Sequence, residues 1–285
     1  ARFPQVFYHG GLVSVGALLA IHFEDLSLPS NHFSYLAFLL LILSAVFAWL
    51  TSVVVNDFYD TSIDTQTNPT RPLITGVIDR SSYRDYGVIF FLTSLLFAAL
   101  VSSQSLLLVL SYQVCAWAYS APPFRLKRLP IIATLFAASA SMLLLVSGYL
   151  SVSETHSLAL LPTHLLLYLL LFLTLMLPLK DFKDISGDES DNVYTIPVIL
   201  GEVWAKRVLG SLLFIIFVLS PVILNALSLF PLALIIGSLG FWTIQNGTAD
   251  QKSFFCYHRF SRLLFSLVFI YGLLATLGLY FGIFS

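Results

Sequence analysis

The chain has 285 residues, of which 58% are hydrophobic and 10% charged, and its net charge is −1. An ordinary soluble domain is about 45–50% apolar and about 25% charged, so too little polar side chain exists here to cover a water-facing globule of 31.7 kDa. These numbers also exclude a disordered chain, a collagen-like fibre, a disulfide scaffold and a basic surface that recruits nucleic acid, which leaves a membrane protein.

Apolar runs long enough to cross the hydrocarbon, about 20 residues each, follow one another along the chain. The first, Val6 to Phe23, lacks a basic leader and a small-residue cleavage site, and reads as a retained span rather than a signal peptide. Lys and Arg then punctuate the sequence in five places. These are Arg2; Arg71, Arg80 and Arg84; Arg125, Lys127 and Arg128; Lys180, Lys183, Lys206 and Arg207; and Lys252, Arg259 and Arg262. The apolar stretches between these groups are too long for one crossing. Each is interrupted near its middle, at Glu24–Asp25, Ser102 to Ser105, Ser151 to His156, and Pro221 to Pro231. Each stretch is therefore predicted to be a helical hairpin. Four hairpins and a last run from Leu263 to Phe284 predict an all-α polytopic membrane protein, nine transmembrane helices in one bundle, forming a single domain over residues 1–285. The interrupting loops carry no Lys or Arg, so the N-terminus and the basic loops are predicted to be cytoplasmic.

Most acidic residues share that basic face, and they are grouped. Asn56-Asp57-Phe58-Tyr59-Asp60-Thr61-Ser62-Ile63-Asp64 closes the second predicted span, and Asp181-Phe182-Lys183-Asp184-Ile185-Ser186-Gly187-Asp188 closes the sixth. Asp57, Asp60 and Asp64 recur as Asp181, Asp184 and Asp188, with Phe58 matching Phe182 and Ser62 matching Ser186. Further on, Pro72 to Gly76 resembles Pro197 to Gly201. Two copies of one four-helix unit would produce this pattern, a pseudo-duplication. Spacing at i, i+3 and i+7 puts three carboxylates within about 60° on one helical face. Three like charges there repel unless a cation neutralises them. Carboxylate and amide oxygens are hard ligands, and Mg²⁺ typically takes one or two carboxylates together with phosphate oxygens and water. Two acidic helix ends around one diphosphate would hold two or more Mg²⁺, stabilising the charge on a departing pyrophosphate. The alternative reading is a solvated helix-end face balanced by neighbouring Lys and Arg.

Two more segments belong to the same face. Asn68 to Gly76 breaks the helix and leaves Arg71 next to the first cluster; Tyr119-Ser-Ala-Pro122-Pro123-Phe-Arg125-Leu-Lys127-Arg128 links the fourth and fifth spans. Arg forms bidentate bonds to phosphate oxygens and Lys supplies a point charge. Topology alone is the competing explanation for Lys127 and Arg128. Cys115 and Cys256 read as free thiols, and the six His (His9, His22, His32, His156, His164 and His258) are too scattered for a metal site. Gly10, Gly11 and Gly16 are of the kind that lets helices approach closely.

At these residues the sequence resembles the UbiA superfamily of intramembrane prenyltransferases. The family's NxxxDxxxD motif is met by Asn56, Asp60 and Asp64, with Asp57 giving the N-D form. Its DxxxD motif is met by Asp184 and Asp188, extended by Asp181; YSAPPFRLKR and RPLITG match two further family stretches. Glu189 stands where many members have Arg, and Arg2-Phe3-Pro4 is only a variant of the family's opening Arg-Pro. The resemblance implies Mg²⁺-dependent transfer of a polyprenyl group from an isoprenyl diphosphate to a hydrophobic acceptor. It implies metal ligands at Asn56, Asp57, Asp60, Asp64, Asp181, Asp184 and Asp188, of which Asp60, Asp64, Asp184 and Asp188 are catalytic. It further implies diphosphate contacts from Arg71, Lys127, Arg128 and Lys183, and a cytoplasmic-side site fed from the bilayer. Tyr59, Tyr119 and Tyr194 are candidates for an acceptor or carbocation wall, with packing as the competing role for each. Among acceptors an aromatic quinone precursor is slightly preferred on prevalence, with a glycerol-phosphate lipid next.

Two other functions compete. A secondary transporter would place its carboxylates at mid-membrane depth, whereas the predicted span centres carry no Lys, Arg, Asp or Glu. A CDP-alcohol phosphotransferase also uses clustered Asp, but its D-G-x-x-A-R opening is absent here.

Overall fold

A computed structural model describes residues 3–26, 34–129, 131–190 and 193–280. Arg2 and His32, and the predicted ninth span beyond Tyr280, lie outside the described residues. Apart from one bridge between Thr248 and Cys256, the regular structure among the described residues is helical. Among the described residues seven helices are long and apolar enough to cross a membrane. Helix Ser103–Ser120, where the fourth span was predicted, is not among them. The last helix contributes only a shorter apolar piece, Arg262–Ala275. The chain divides into two compact units, one formed by Ala1–Arg128 with Phe136–Leu161, the other by Leu129–Leu135 with Pro162–Ser285.

The first unit contains α1 (Phe3–Phe23), α2 (Tyr35–Tyr59), α3 (Thr61–Thr67), α4 (Pro72–Thr75), α5 (Arg80–Val101), α6 (Ser103–Ser120) and most of α7 (Ile132–Val152). Its boundaries follow side-chain chemistry. The Ser34 side chain caps α2, and the Asp79 carboxylate accepts from the backbone N–H groups of Ser81 and Ser82 at the start of α5. Ser102 adopts an extended conformation that ends α5, and its hydroxyl then caps α6 by accepting from the Ser105 N–H. Helix α5 is turned inside out relative to a soluble helix. Tyr83, Gly87, Ser94 and Ala98 face inward, while Val88, Ile89, Leu92, Leu96 and Leu100 are exposed. Lipid gives no hydrophobic drive between helices, so small residues mediate the contact instead. Gly16 and Gly148 show how close that contact is. A Cβ on Gly16 would lie 1.9 Å from the Leu145 carbonyl oxygen, and one on Gly148 would lie 2.0 Å from that of Val13.

The second unit contains α8 (Thr163–Met176), α9 (Ile185–Ser190), α10 (Ile196–Leu200), α11 (Glu202–Ile223), α12 (Phe230–Gln245) and α13 (Tyr257–Tyr280). After Met176 the chain tightens into a 3₁₀ stretch, Leu177–Lys183, at Pro178, which has no N–H to continue the α-helical ladder. Leu179, Phe182, Leu209, Leu213, Phe217 and Phe260 form the centre of its core. The interruption predicted from Pro221 to Pro231 is present, although α11 runs through Pro221 itself and ends at Ile223. Pro221 cannot donate to the Phe217 carbonyl, and the Ser220 hydroxyl donates to that carbonyl instead at 2.6 Å, so the helix survives the proline. The turn falls at Leu224–Ala226, and Pro231 takes a first-turn position of α12, where no N–H is needed.

Candidate active site

The first acidic segment is not one continuous helix. α2 ends at Tyr59, Asp60 sits at φ −108°, ψ 20°, and α3 starts at Thr61. Backbone bonding nevertheless passes through the kink. Asp60 N–H donates to Asn56 O (3.0 Å), Asp64 N–H to Asp60 O (2.8 Å) and Asn68 N–H to Asp64 O (2.9 Å). The four-residue ladder explains why carboxylates at this spacing come together despite the kink.

Asp57, Asp60 and Asp64 are all buried, at 4%, 6% and 3% exposure. Each is held by named donors. Arg71 Nη1 bridges two of them, donating to Asp57 Oδ1 at 2.8 Å and to Asp64 Oδ2. The Tyr83 hydroxyl donates to Asp57 Oδ2 at 2.8 Å, and Asn68 Nδ2 donates to Asp64 Oδ1 at 3.2 Å. Asp60 receives Arg125 Nη2 at 3.2 Å and the Lys127 ammonium. The Ser120 hydroxyl donates to Asn56 Oδ1 at 3.4 Å, tying the end of α6 to the motif. Burial pushes the Asp64 carboxyl up despite the pull of Arg71, and burial pushes Lys127 down against the pull of Asp60.

The fold gathers Asn56, Asp57, Asp60, Asp64, Arg71 and Lys127 into one cluster. Arg128 is exposed. Arg125 reaches Asp60, with its Nε buried and unpartnered among the described residues. Arg125 has φ 42°, which turns it out of register with the 3₁₀ turn Leu126–Arg128 that follows. Spacing within the tract gave no sign of this. Tyr83 was also missed, because nothing local links it to a carboxylate 26 positions away.

The second acidic segment repeats the backbone course within its own unit. The 3₁₀ stretch ends at Lys183, Asp184 sits at φ −111°, ψ 7°, and α9 begins at Ile185. Asp188 N–H donates to Asp184 O at 2.8 Å, as Asp64 does to Asp60. Lys183 Nζ lies 3.3 Å from Asp184 Oδ2, and the Thr195 hydroxyl lies 3.4 Å from Asp188 Oδ2. Burial, reinforced by the charges of Asp181 and Asp184, pushes the Asp188 carboxyl up to about 7. The short helices that follow the two motifs, α4 and α10, both end on a positive-φ glycine, Gly76 at 71° and Gly201 at 73°.

Of the tyrosines, Tyr59 packs edge-on against Phe58 and is 38% exposed, Tyr194 is 53% exposed, and Tyr119 is half-buried in the last turn of α6. Among the described residues no three His, Cys, Asp or Glu side chains converge as a ready metal cage. In the first cluster the reason is visible, since each carboxylate is turned to a guanidinium or ammonium. The donors are all oxygen, and the second cluster concentrates negative charge. That chemistry suits a hard divalent cation.

The fold and site thus define a multi-pass helical membrane protein with two acidic, cation-lined motifs at the ends of long helices. The sequence pattern of the UbiA prenyltransferase family matches residues 17–268, and the chain belongs to that family. It is 28% identical over 174 residues to the digeranylgeranylglyceryl phosphate synthase of Methanosphaera stadtmanae, covering 59% of this chain and 60% of that protein. It is 29% identical over 166 residues to the synthase of the same name from Thermococcus kodakarensis, covering 58% and 57%. The chain thus spans less than two thirds of the length of either relative. Among solved structures it resembles a UbiA homologue from Archaeoglobus fulgidus bound to DMAPP and Mg²⁺, with TM-score 0.67 and 20% identity, over 97% of this chain and 99% of that one. It also resembles the apo UbiA homologue from Aeropyrum pernix K1, with TM-score 0.69 and 18% identity, over 99% of each chain. These two likenesses establish the fold.

Proposed function

We propose that the protein transfers a polyprenyl group from an isoprenyl diphosphate to a glycerol-phosphate lipid, releasing pyrophosphate with the help of Mg²⁺. The observation that carries this reading is the buried trio Asp57, Asp60 and Asp64, interleaved with Arg71, Arg125 and Lys127. Such a cluster has oxygen ligands for a metal and movable cations for phosphate within one set of side chains. Asn56, Asp57, Asp60 and Asp64, with Asp181, Asp184 and Asp188, would hold Mg²⁺. When bound, the ion would stabilise the negative charge gathering on the departing pyrophosphate. Arg71, Arg125 and Lys127 in the first unit, and Lys183 in the second, supply positive charge for diphosphate oxygens. The allylic C–O bond breaks with its electron pair remaining on pyrophosphate, and the acceptor hydroxyl oxygen closes on the carbon and loses its proton. Fixed charges in a site shielded from water act most strongly on such a separation of charge. Tyr59, Tyr119 and Tyr194 stand close in sequence to these groups and remain the candidates for facing the cation.

The names of the two archaeal relatives favour the glycerol-phosphate acceptor over the aromatic one preferred from prevalence. The proposal includes nine crossings, with α6 and α13 completing the set of seven, and a cytoplasmic N-terminus and active site. It also includes descent from a duplicated unit, supported by the matching kinks at Asp60 and Asp184 and the matching glycines at 76 and 201. The test is pyrophosphate release from geranylgeranyl diphosphate, with and without Mg²⁺, offered geranylgeranylglyceryl phosphate or an aromatic acid. Release that requires Mg²⁺ and the glycerol-phosphate acceptor supports the reading. Release with the aromatic acid alone overturns the acceptor, and no release with any acceptor overturns the activity.

A further inference from the structure

Phe182 separates Asp181 from Lys183 in the second motif, yet it is 2% exposed and belongs to the core. Its ring stacks on Tyr257, with centroids 5.7 Å apart and planes 25° apart, and meets Phe260 edge-on at 6.1 Å. Tyr257 in turn is fixed by charge. Its hydroxyl donates to Glu202 Oε1, and the same oxygen accepts from Lys206 Nζ at 2.6 Å. Lys206 Nζ also donates to the Gly247 carbonyl at 2.5 Å and lies 5.4 Å from the centroid of the Tyr257 ring. Gln245 Nε2 donates to the Lys206 carbonyl at 2.9 Å, closing the network over the end of α12. The fit is tight, since a Cβ on Gly247 would come 3.0 Å from Tyr257 Cε1. The start of α11, the end of α12 and the start of α13 are therefore locked together, and the ring of Tyr257 is the face this lock presents to the second motif.

We propose that Glu202, Lys206 and Tyr257 form a positioning clamp that sets the carboxylates of the second motif for divalent-cation binding, acting through the Phe182–Tyr257 stack. This rests on the Mg²⁺-dependent reading of the site. None of the three clamp residues is itself a ligand. The first motif has a simpler counterpart: the matching Phe58 lies under the Arg80 guanidinium, 4.2 Å from the ring centroid. In both motifs the phenylalanine beside the first aspartate is backed by a side chain from another helix, Arg80 of α5 or Tyr257 of α13. A side chain that orients ligands from behind typically changes metal affinity by about 10–100-fold when removed.

The experiment titrates Mg²⁺ against the purified full chain with a non-hydrolysable geranylgeranyl thiolodiphosphate present, reading thermal stabilisation rather than turnover. Tyr257→Leu removes the stack, Tyr257→Phe keeps the ring without the hydroxyl, and Leu213→Ala is a core cut in the same unit away from the clamp. Phe182→Leu cuts the stack from the other side and carries the test should Tyr257→Leu not fold. The clamp requires the Mg²⁺ midpoint to rise about tenfold in Tyr257→Leu, to rise less in Tyr257→Phe, and to stay put in Leu213→Ala while that variant's Mg²⁺-free melting temperature falls. A wild-type midpoint in both stack variants, or an equal shift in Leu213→Ala, overturns it. Absence of any Mg²⁺-dependent stabilisation in the wild type overturns the reading of the site instead, which separates the two failures.

Discussion

Replacing Arg71 by Met tests whether the first acidic cluster is built around its own cations. One guanidinium bridges Asp57 and Asp64, both nearly inaccessible, while the Arg71 side chain is itself 18% exposed. At an effective dielectric constant of about 20, a pair of charges about 4 Å apart is worth about 4 kcal/mol. Removing one partner of a buried pair typically costs about 3–5 kcal/mol, because the other charge is left uncompensated. Here the Tyr83 hydroxyl and the Asn68 amide still serve the stranded carboxylates, which places the loss toward the lower end, about 3 kcal/mol. For a chain of this size each kcal/mol moves the midpoint by about 2–4 °C, so Arg71→Met should melt roughly 6–12 °C below wild type. Tryptophan fluorescence during heating in detergent reads this directly, since Trp49 is buried on α2. Asp57→Asn added to Arg71→Met should recover part of the loss by removing one stranded charge. A single variant within about 2 °C of wild type, or a double variant worse than the single by the full cost of Asp57→Asn, would show that the bridge does not balance the cluster.

The other expectations are narrower. Asp184→Ala should abolish Mg²⁺-dependent pyrophosphate release with little change in melting temperature, because its side chain is 25% exposed and paired with Lys183 only at 3.3 Å; Asp60→Ala, which strands Arg125 and Lys127, should cost both. Arg125→Gln should raise the KM for the isoprenyl diphosphate at least tenfold while Arg128→Gln stays within about twofold, since a charge-assisted hydrogen bond is worth about 1.5–3 kcal/mol and Arg128 is exposed. Equal effects in steady-state kinetics would remove Arg125 from the site. Gly148→Leu should lower the melting temperature sharply by driving α1 from α7, as overpacking costs about 1–3 kcal/mol even without a backbone clash. Cysteines placed at Thr65, Arg128 and Glu189 should all label from the cytoplasmic side, and labelling of any one from the other side would refute the proposed topology.

Much of the fold was written in local chemistry. The interruption read at Ser102 to Ser105 is a helix end because the short Ser102 side chain satisfies a backbone N–H there, as Asp79 and Ser34 do at the starts of α5 and α2. The turns at Glu24–Asp25 and Ser151 to His156 were legible for the same reason, charged and small polar residues interrupting an apolar run. The interruption between Pro221 and Pro231 was legible too, but not where within it the helix stops: a hydroxyl at Ser220 takes up the carbonyl freed by Pro221, and no pattern of hydrophobicity encodes that. The acidic residues were legible by spacing, although the reason differs from the one the spacing suggested. They converge through a hydrogen-bond ladder carried across a kink, not along one helical face. What the sequence could not show was partners. Arg125 and Arg128 are equivalent in composition and three residues apart, and only the left-handed turn at Arg125 separates them. Tyr83 and the clamp of Glu202, Lys206 and Tyr257 depend on contacts across 26 to 55 positions, where polarity alone gives no direction.

The two motifs share similar backbone geometry at Asp60 (φ −108°, ψ 20°) and Asp184 (φ −111°, ψ 7°), yet their charges are balanced differently. In the first, Arg71, Arg125 and Lys127 are already seated on the carboxylates. In the second, Lys183 reaches Asp184, while burial, reinforced by the charges of Asp181 and Asp184, pushes the Asp188 carboxyl up to about 7. On the proposed reading a divalent cation would have to displace resident cations in the first motif, whereas in the second it would meet Lys183 beside Asp184 and the charge of Lys180 near Asp181 and Asp188. Displacement has a consequence, because a guanidinium or ammonium moved off a carboxylate in a buried site needs another anion close by. The diphosphate supplies one. On the proposed reading the resident cations of the first motif make metal and diphosphate loading mutually dependent: a metal ion that displaces Arg71, Arg125 and Lys127 from their carboxylates would leave them unpaired until the diphosphate arrives. On that reading the ion pairs seen between Arg71, Arg125, Lys127 and the carboxylates would exchange for phosphate contacts when the substrate binds, so that little unpaired charge would be left buried.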